Sequence, residues 1–271
     1  MSTFIRLCLP AVTALLLSAP PAHAATAADA PVLLHAFSFE SGVSSSVGAM
    51  RSGTLFGDAT VTNGVLNLSG SNAYLEFTSP LVPMAQDNGN SAWSISAWVR
   101  QTAALPNLSA TFIGVGGDTS LIPQLSFAIS ASGTPVLSQG TAYGVNASGA
   151  GMLAQQTWHH VAMVGTSLNV NLYADGVLVG SGGSSLKYTA SSNNVGTTRF
   201  GRQVLTYGQQ FTGQIDDVKI YSGRLSAGEI SAQFAAGPSV SAVPEPAGAP
   251  LLLAGLAGLG WVAARRRARH S

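Results

Sequence analysis

Between Ser91 and Arg100 the chain alternates cleanly. Ile95, Ala97 and Val99 point one way, and Ser94, Ser96, Trp98 and Arg100 point the other. A period of two is the mark of a β-strand, and no other regular structure produces it. The same texture fills the middle of the sequence. Val32 to Phe39 opens it, and Gly64 to Phe77 follows, broken by the turn Ser69-Gly70-Ser71-Asn72. Thr111 to Val115 and Leu125 to Ser130 read as two more strands. Trp158 to Val164 and Leu168 to Ala174 form a hairpin across Gly165-Thr166-Ser167, and Asp175-Gly176 supplies a second tight turn before Val177-Leu178-Val179. Arg199 to Arg202 and Phe211 to Tyr221 close the series. Short strands punctuated by Gly, Asn, Asp and Ser predict an all-β sandwich. The body is rich in Gly, Ser, Ala, Thr and Val and poor in Lys and Glu, which suits strands and does not suit surface helices. One short helix is expected, over Ser226 to Phe234, where Ser226 and Glu229 have the spacing of a capping box.

The two ends have a different character. Residues 1–24 read as a signal peptide: Arg6 is the positive element, Leu7 to Ser18 the short apolar stretch, and Ala22-His23-Ala24 the cleavage site before Ala25. The single cysteine, Cys8, lies inside it, so the mature chain has no thiol and no disulfide, and its core is held by burial alone. At the other end, Val243-Pro244-Glu245-Pro246 precedes the apolar stretch Ala247 to Ala264, then Arg265-Arg266-Arg267 and Arg269. That order predicts a C-terminal transmembrane helix that anchors in the inner membrane and leaves its arginines in the cytoplasm. The domain layout is therefore 1–24 signal peptide, 25–236 sandwich, 237–242 linker and 243–271 tail. The formal charge of +1 comes from 12 basic and 11 acidic residues. Setting aside Arg6, the four tail arginines and Glu245 leaves the body net negative. With no basic stripe, nucleic acid drops out as a partner.

Four segments in sequence carry a resemblance. They are Trp93-Ser94-Ile95-Ser96-Ala97-Trp98-Val99, Thr157-Trp158-His159-His160-Val161-Ala162, Leu172 to Ser181, and Gly213-Gln214-Ile215-Asp216-Asp217-Val218-Lys219-Ile220-Tyr221 with Leu225-Ser226 and Glu229-Ile230 behind it. Together they resemble the laminin G-like (LamG-like) jelly roll of the concanavalin A-like lectin/glucanase superfamily. The resemblance implies two curved antiparallel sheets stacked face to face. The tail is similar to the PEP-CTERM sorting signal, which implies an exosortase-type processing enzyme as a partner and an association with exopolysaccharide.

Catalysis is not expected. Retaining glycoside hydrolysis needs two carboxyl groups about 5 Å apart, a spacing that residues i and i+2 of one strand provide. The glutamates are Glu40, Glu76, Glu229 and Glu245, and none belongs to such a run. On a regular strand the adjacent Asp216 and Asp217 point to opposite faces. His159 and His160 likewise face opposite ways, one packed and one at the surface, and cannot share a metal ion without a bulge. Gly114-Val115-Gly116-Gly117 lacks the lysine and helix of a phosphate loop. The resemblance implies one structural ion: Glu40 and Asp217 match positions that ligate calcium between the first and last strands, though the loop Ser41 to Ser46 brings no further acid. The alternative is a pair of solvent-exposed carboxylates with a hydrogen bond to a loop.

The expected function is that of an exported, non-catalytic protein at the cell surface, outer envelope or extracellular matrix, binding polysaccharide or adhering to it. The rivals are a structural matrix protein without a defined ligand and a glycan hydrolase. Core packing accounts for Trp98 and Trp158, and the sequence singles out no ligand-binding residue.

Overall fold

The computed structural model describes residues 30–48, 50–79, 81–83, 92–104, 109–116, 125–139, 142–146, 153–165, 169–183, 197–204 and 210–239. The signal peptide, the loop at 166–168, the Val243-Pro244-Glu245-Pro246 motif, the apolar stretch and the arginine cluster lie outside them. Among the described residues no helix is long and apolar enough to cross a membrane.

Among the described residues, fifteen strands and one helix follow in order: β1 (Val32–Phe37), β2 (Thr54–Phe56), β3 (Thr60–Thr62), β4 (Val65–Ser69), β5 (Tyr74–Phe77), β6 (Trp93–Gln101), β7 (Ala110–Gly116), β8 (Leu125–Ile129), β9 (Pro135–Gln139), β10 (Ala142–Asn146), β11 (Trp158–Gly165), β12 (Asn169–Ala174), β13 (Val177–Gly183), β14 (Thr197–Phe200), β15 (Thr212–Ser222) and α1 (Ala227–Ala236). They form two antiparallel sheets. The first runs β13-β12-β11-β6-β15-β4-β3, with β1 also paired to β15, and the second runs β10-β9-β8-β7-β14-β5-β2. The stretch Gly64 to Phe77 is thus two strands on different sheets, and the turn at Ser69 to Asn72 carries the chain between layers. The Asp175-Gly176 turn has φ of 49° and 80°, the double positive φ that a two-residue hairpin with the native twist requires.

Between the sheets, Phe37 meets Phe77 at 4.9 Å and Phe200 at 5.4 Å between ring centroids, and Phe112 meets Phe127 at 4.4 Å. Ile95, Ala97 and Val99 turn into this core, as their alternation predicts. The opposite face of β6 is not solvated. Helix α1 lies over it, and Ser94, Ser96 and Trp98 are all buried. Polar residues can sit there because their groups are satisfied. The Ser94 hydroxyl donates to Gly223 O and accepts from Leu225 N, both at 2.9 Å, and the Ser96 hydroxyl donates to Gln233 Oε1 at 2.7 Å. Ala162, Val164, Tyr173, Leu225 and Ile230 make a second apolar cluster beneath the helix. The helix is capped at its start as the Ser226/Glu229 spacing predicts, and it ends two residues later than expected.

Candidate functional site

Strand β15 changes partner partway along. Gly213 to Ile215 pair with β4, whereas Val218 to Ser222 pair with β1. The switch falls on Asp216 and Asp217, where the register against β6 also breaks. Asp217 has φ of 47°, so the two side chains do not take the opposite faces of a regular strand, which corrects that expectation. Both are buried. Asp216 Oδ1 accepts the Asp217 amide at 2.6 Å, and Asp217 Oδ2 accepts the Ser239 amide at 2.5 Å. Glu40, exposed just after β1, is close enough to act on Asp216 electrostatically. Gly64, at φ of 72°, passes so close to the Glu40 carboxylate that a Cβ there would collide with it. The structure therefore sets Glu40 within electrostatic reach of Asp216, the neighbour of Asp217.

Burial pushes the Asp216 carboxyl up to about 8, and the negative charges of Asp217 and Glu40 add to the rise against the Asp217 amide and Lys219. An acid whose folded pKa is raised contributes stability below its unfolded value, and that stability is lost as pH rises through the folded value. Buried His160 has the opposite dependence. Burial lowers its pKa to about 4, so its contribution is complete above about 6.5 and is lost as pH falls toward 4. The two effects offset each other below about 6.5, leaving Asp216 alone above it. The melting temperature is expected to fall between pH 6.5 and 8, and D216N is expected to flatten that limb. An equal fall in D216N would assign it to another group.

The two histidines are explained by one carboxylate. Asp175 Oδ2 lies 2.8 Å from His159 Nδ1, and Asp175 Oδ1 accepts the His160 amide at 2.9 Å. Burial works to raise the Asp175 carboxyl, but these hydrogen bonds and the histidine charges outweigh it and hold it below the usual range. His160 lies under α1 with its ring 5.4 Å from Trp98. His159 is half-buried and tied to the turn, so it is not the surface residue that alternation predicts.

On the outer face of the second sheet, Tyr74 and Glu76 alternate with the core residues Leu75 and Phe77. Strand pairing sets Phe56 beside Tyr74 and Arg199 beside Glu76. The Phe56 and Tyr74 rings stack at 4.8 Å and 9°. The Arg199 and Arg202 guanidiniums lie 4.9 and 5.2 Å from the Tyr74 ring centroid. Arg199 is itself fixed, donating to Glu76 Oε2 and Val204 O, each at 2.7 Å. Phe56 remains 37% exposed, so an aromatic surface faces solvent on a braced support. The sequence did not single out these residues. Their signal is the pair of aromatic and charged outward positions on β5, which becomes informative only once β2 and β14 are known to flank it. Elsewhere, an open cavity of about 320 Å³ lies beside Gln101, Ser132, Gly133 and Gln155, with no aromatic or charged side chain in its lining.

This architecture is a jelly-roll-like sandwich. The chain belongs to the concanavalin A-like lectin/glucanases superfamily: a laminin G-type family model of that description matches residues 69–231. A PEP-CTERM protein-sorting motif matches residues 242–267, which implies export, sorting to the cell envelope or surface, and processing by an exosortase-type enzyme. Comparison with curated proteins gives no match. Among solved structures, domain 4 of AbnA, a GH43 extracellular arabinanase from Geobacillus stearothermophilus in complex with arabinotriose, aligns with a TM-score of 0.60 at 21% identity, covering 74% of this chain and 98% of that one. Trypanosoma rangeli sialidase in complex with sialic acid aligns at 0.58 and 15%, covering 78% of this chain and 34% of the sialidase. The botulinum neurotoxin serotype D/C binding domain aligns at 0.57 and 17%, covering 75% and 52%. At these identities the likeness concerns the fold.

Proposed function

We propose that the chain is a non-catalytic glycan-binding module of the cell surface or exopolysaccharide matrix, and that its ligand meets the outer face of β14, β5 and β2. The braced Phe56 ring carries this reading. Sugars present apolar C–H faces to aromatic rings, and a ring already stacked on Tyr74 loses little freedom on binding. The non-catalytic reading is supported by the state of the carboxylates. Asp216 and Asp217 are buried and held by backbone amides, and Glu76 is ion-paired to Arg199. The arabinotriose in the AbnA domain 4 complex fits a glycan ligand for this fold. A glycan array with residues 25–239 tests the proposal. Wild type is expected to bind envelope polysaccharides, and F56A to lose at least about tenfold in affinity, the order of one well-packed aromatic contact. No binding to any glycan would leave a structural matrix protein. Reducing-sugar release abolished by mutating one acid would restore the hydrolase reading.

A structural calcium ion is the second reading, and the negative charge that Glu40 and Asp217 bring to bear on Asp216 favours it. Calcium accepts carboxylates mixed with backbone carbonyls. Among the described residues no three His, Cys, Asp or Glu side chains converge as a ligand set. Glu40 and Asp217 would therefore hold the ion together with backbone oxygens. When bound, the ion would supply charge compensation and a tie between β1 and β15. Calcium is expected to raise the melting temperature, most of all near pH 8, and chelation to reverse it. No response to either would remove the ion from the account.

A further inference from the structure

The described chain leaves the domain at a fixed place. Helix α1 ends at Ala236, and Asp217 then holds the Ser239 amide. Asp216 pairs across β15–β6 with Trp98, and Trp98 stacks on Phe234 of the helix at 5.9 Å. The Phe234 ring in turn rests against the β12–β13 turn, where a Cβ on Gly176 would lie 3.3 Å from it. The exit point, the last turn of α1 and the β12–β13 turn are thus one continuous end of the first sheet. On the helix side that end exposes Leu178, at 50%, beside Phe234, at 38%, while Val177, at 59%, lies on the other face of β13 opposite Ala174.

The apolar tail stretch begins at Ala247, eight residues beyond Ser239. Fully extended, those residues span at most about 28 Å. A domain tethered this closely to a bilayer meets its surface at high effective concentration, so a contact too weak for free association becomes populated.

We propose that, before the tail is processed, Leu178 and Phe234 rest on the outer surface of the inner membrane, so that the first sheet's α1 end faces lipid and the second sheet's outer face points away from α1. The proposal rests on the reading of the tail as a membrane anchor. The contact is apolar. The charged groups that act on His160 beneath this end are Asp175, Asp217 and Lys219, and α1 itself carries Glu229, so acids are in the majority and anionic lipid weakens the contact.

The test uses residues 25–271 in phosphatidylcholine vesicles. The mature chain has no cysteine, so L178C and M50C each take one environment-sensitive fluorophore. Met50 is the control, at 87% exposure in the connection between β1 and β2. A blue shift at position 178 on vesicle insertion is expected, smaller with phosphatidylglycerol added, with none at position 50. On the unlabelled chain, hydrogen exchange at 174–179 is expected to slow several-fold in vesicles relative to residues 25–239. Flotation reports tail insertion separately. Chain that floats with position 178 behaving as position 50 and unchanged exchange overturns the docked orientation alone. Chain that fails to float overturns the anchor and this proposal with it.

Discussion

Replacing Phe37 with alanine is expected to destabilise the domain by about 3–5 kcal/mol, the usual cost of truncating a fully buried aromatic. Phe37 is 1% exposed and sits among Phe39, Phe77 and Phe200, drawn from both sheets. The loss is large against a typical native stability of about 5–15 kcal/mol. With the only cysteine at position 8, no disulfide offsets it. Urea unfolding of residues 25–239 should show a lower midpoint at an unchanged slope. A loss below about 1 kcal/mol would mean that the two sheets do not depend on this contact.

Trp98→Ala should cost a similar amount, about 3–5 kcal/mol, through a different route. Trp98 fills the space between β6 and α1, touching His160 on one side and Phe234 on the other. Its removal admits water to His160, whose pKa is expected to rise from about 4 toward 6.5. The stability gained between pH 4 and 6.5 should shrink accordingly. Imidazole titration by NMR separates this outcome from a simple packing loss, which would leave the His160 pKa near 4. Trp98→Phe should retain most of the stability, because a ring still covers the imidazole.

Much of the sandwich was legible because strand alternation is a local property. β6, β11, β12 and β15 follow from their own residues, as do the Asp175-Gly176 turn and the capping box. What alternation leaves open is which outward face is later covered. Ser94, Ser96 and Trp98 read only as the face opposite Ile95, and a helix more than a hundred residues later closes over them. The short edge strands β2 and β3 offer three residues each, too few for a period to declare itself. The pairing of β9 with β10 was likewise not read from sequence.

The candidate site was less legible for the same reason. Phe56 and Tyr74 are 18 positions apart, and Arg199 lies a further 125 along, so their stack exists only through strand pairing. Glu40 and Asp217 were placed together by resemblance, and the fold sets Asp216 within electrostatic reach of Glu40 at a bulge that a regular-strand reading excludes.

The partner switch in β15 bears on the order in which the molecule can be assembled. This strand lies between β6 on one side and β4 with β1 on the other, yet it is written at positions 212–222, after every other strand. The first sheet therefore has no centre until nearly the whole domain has been synthesised. Its earliest strand, β1, pairs among the described strands with β15 alone. Contacts of such long sequence separation form slowly. For an exported chain this delay is useful: the emerging polypeptide stays open while it is handed across the membrane, and closure waits for a strand that arrives last.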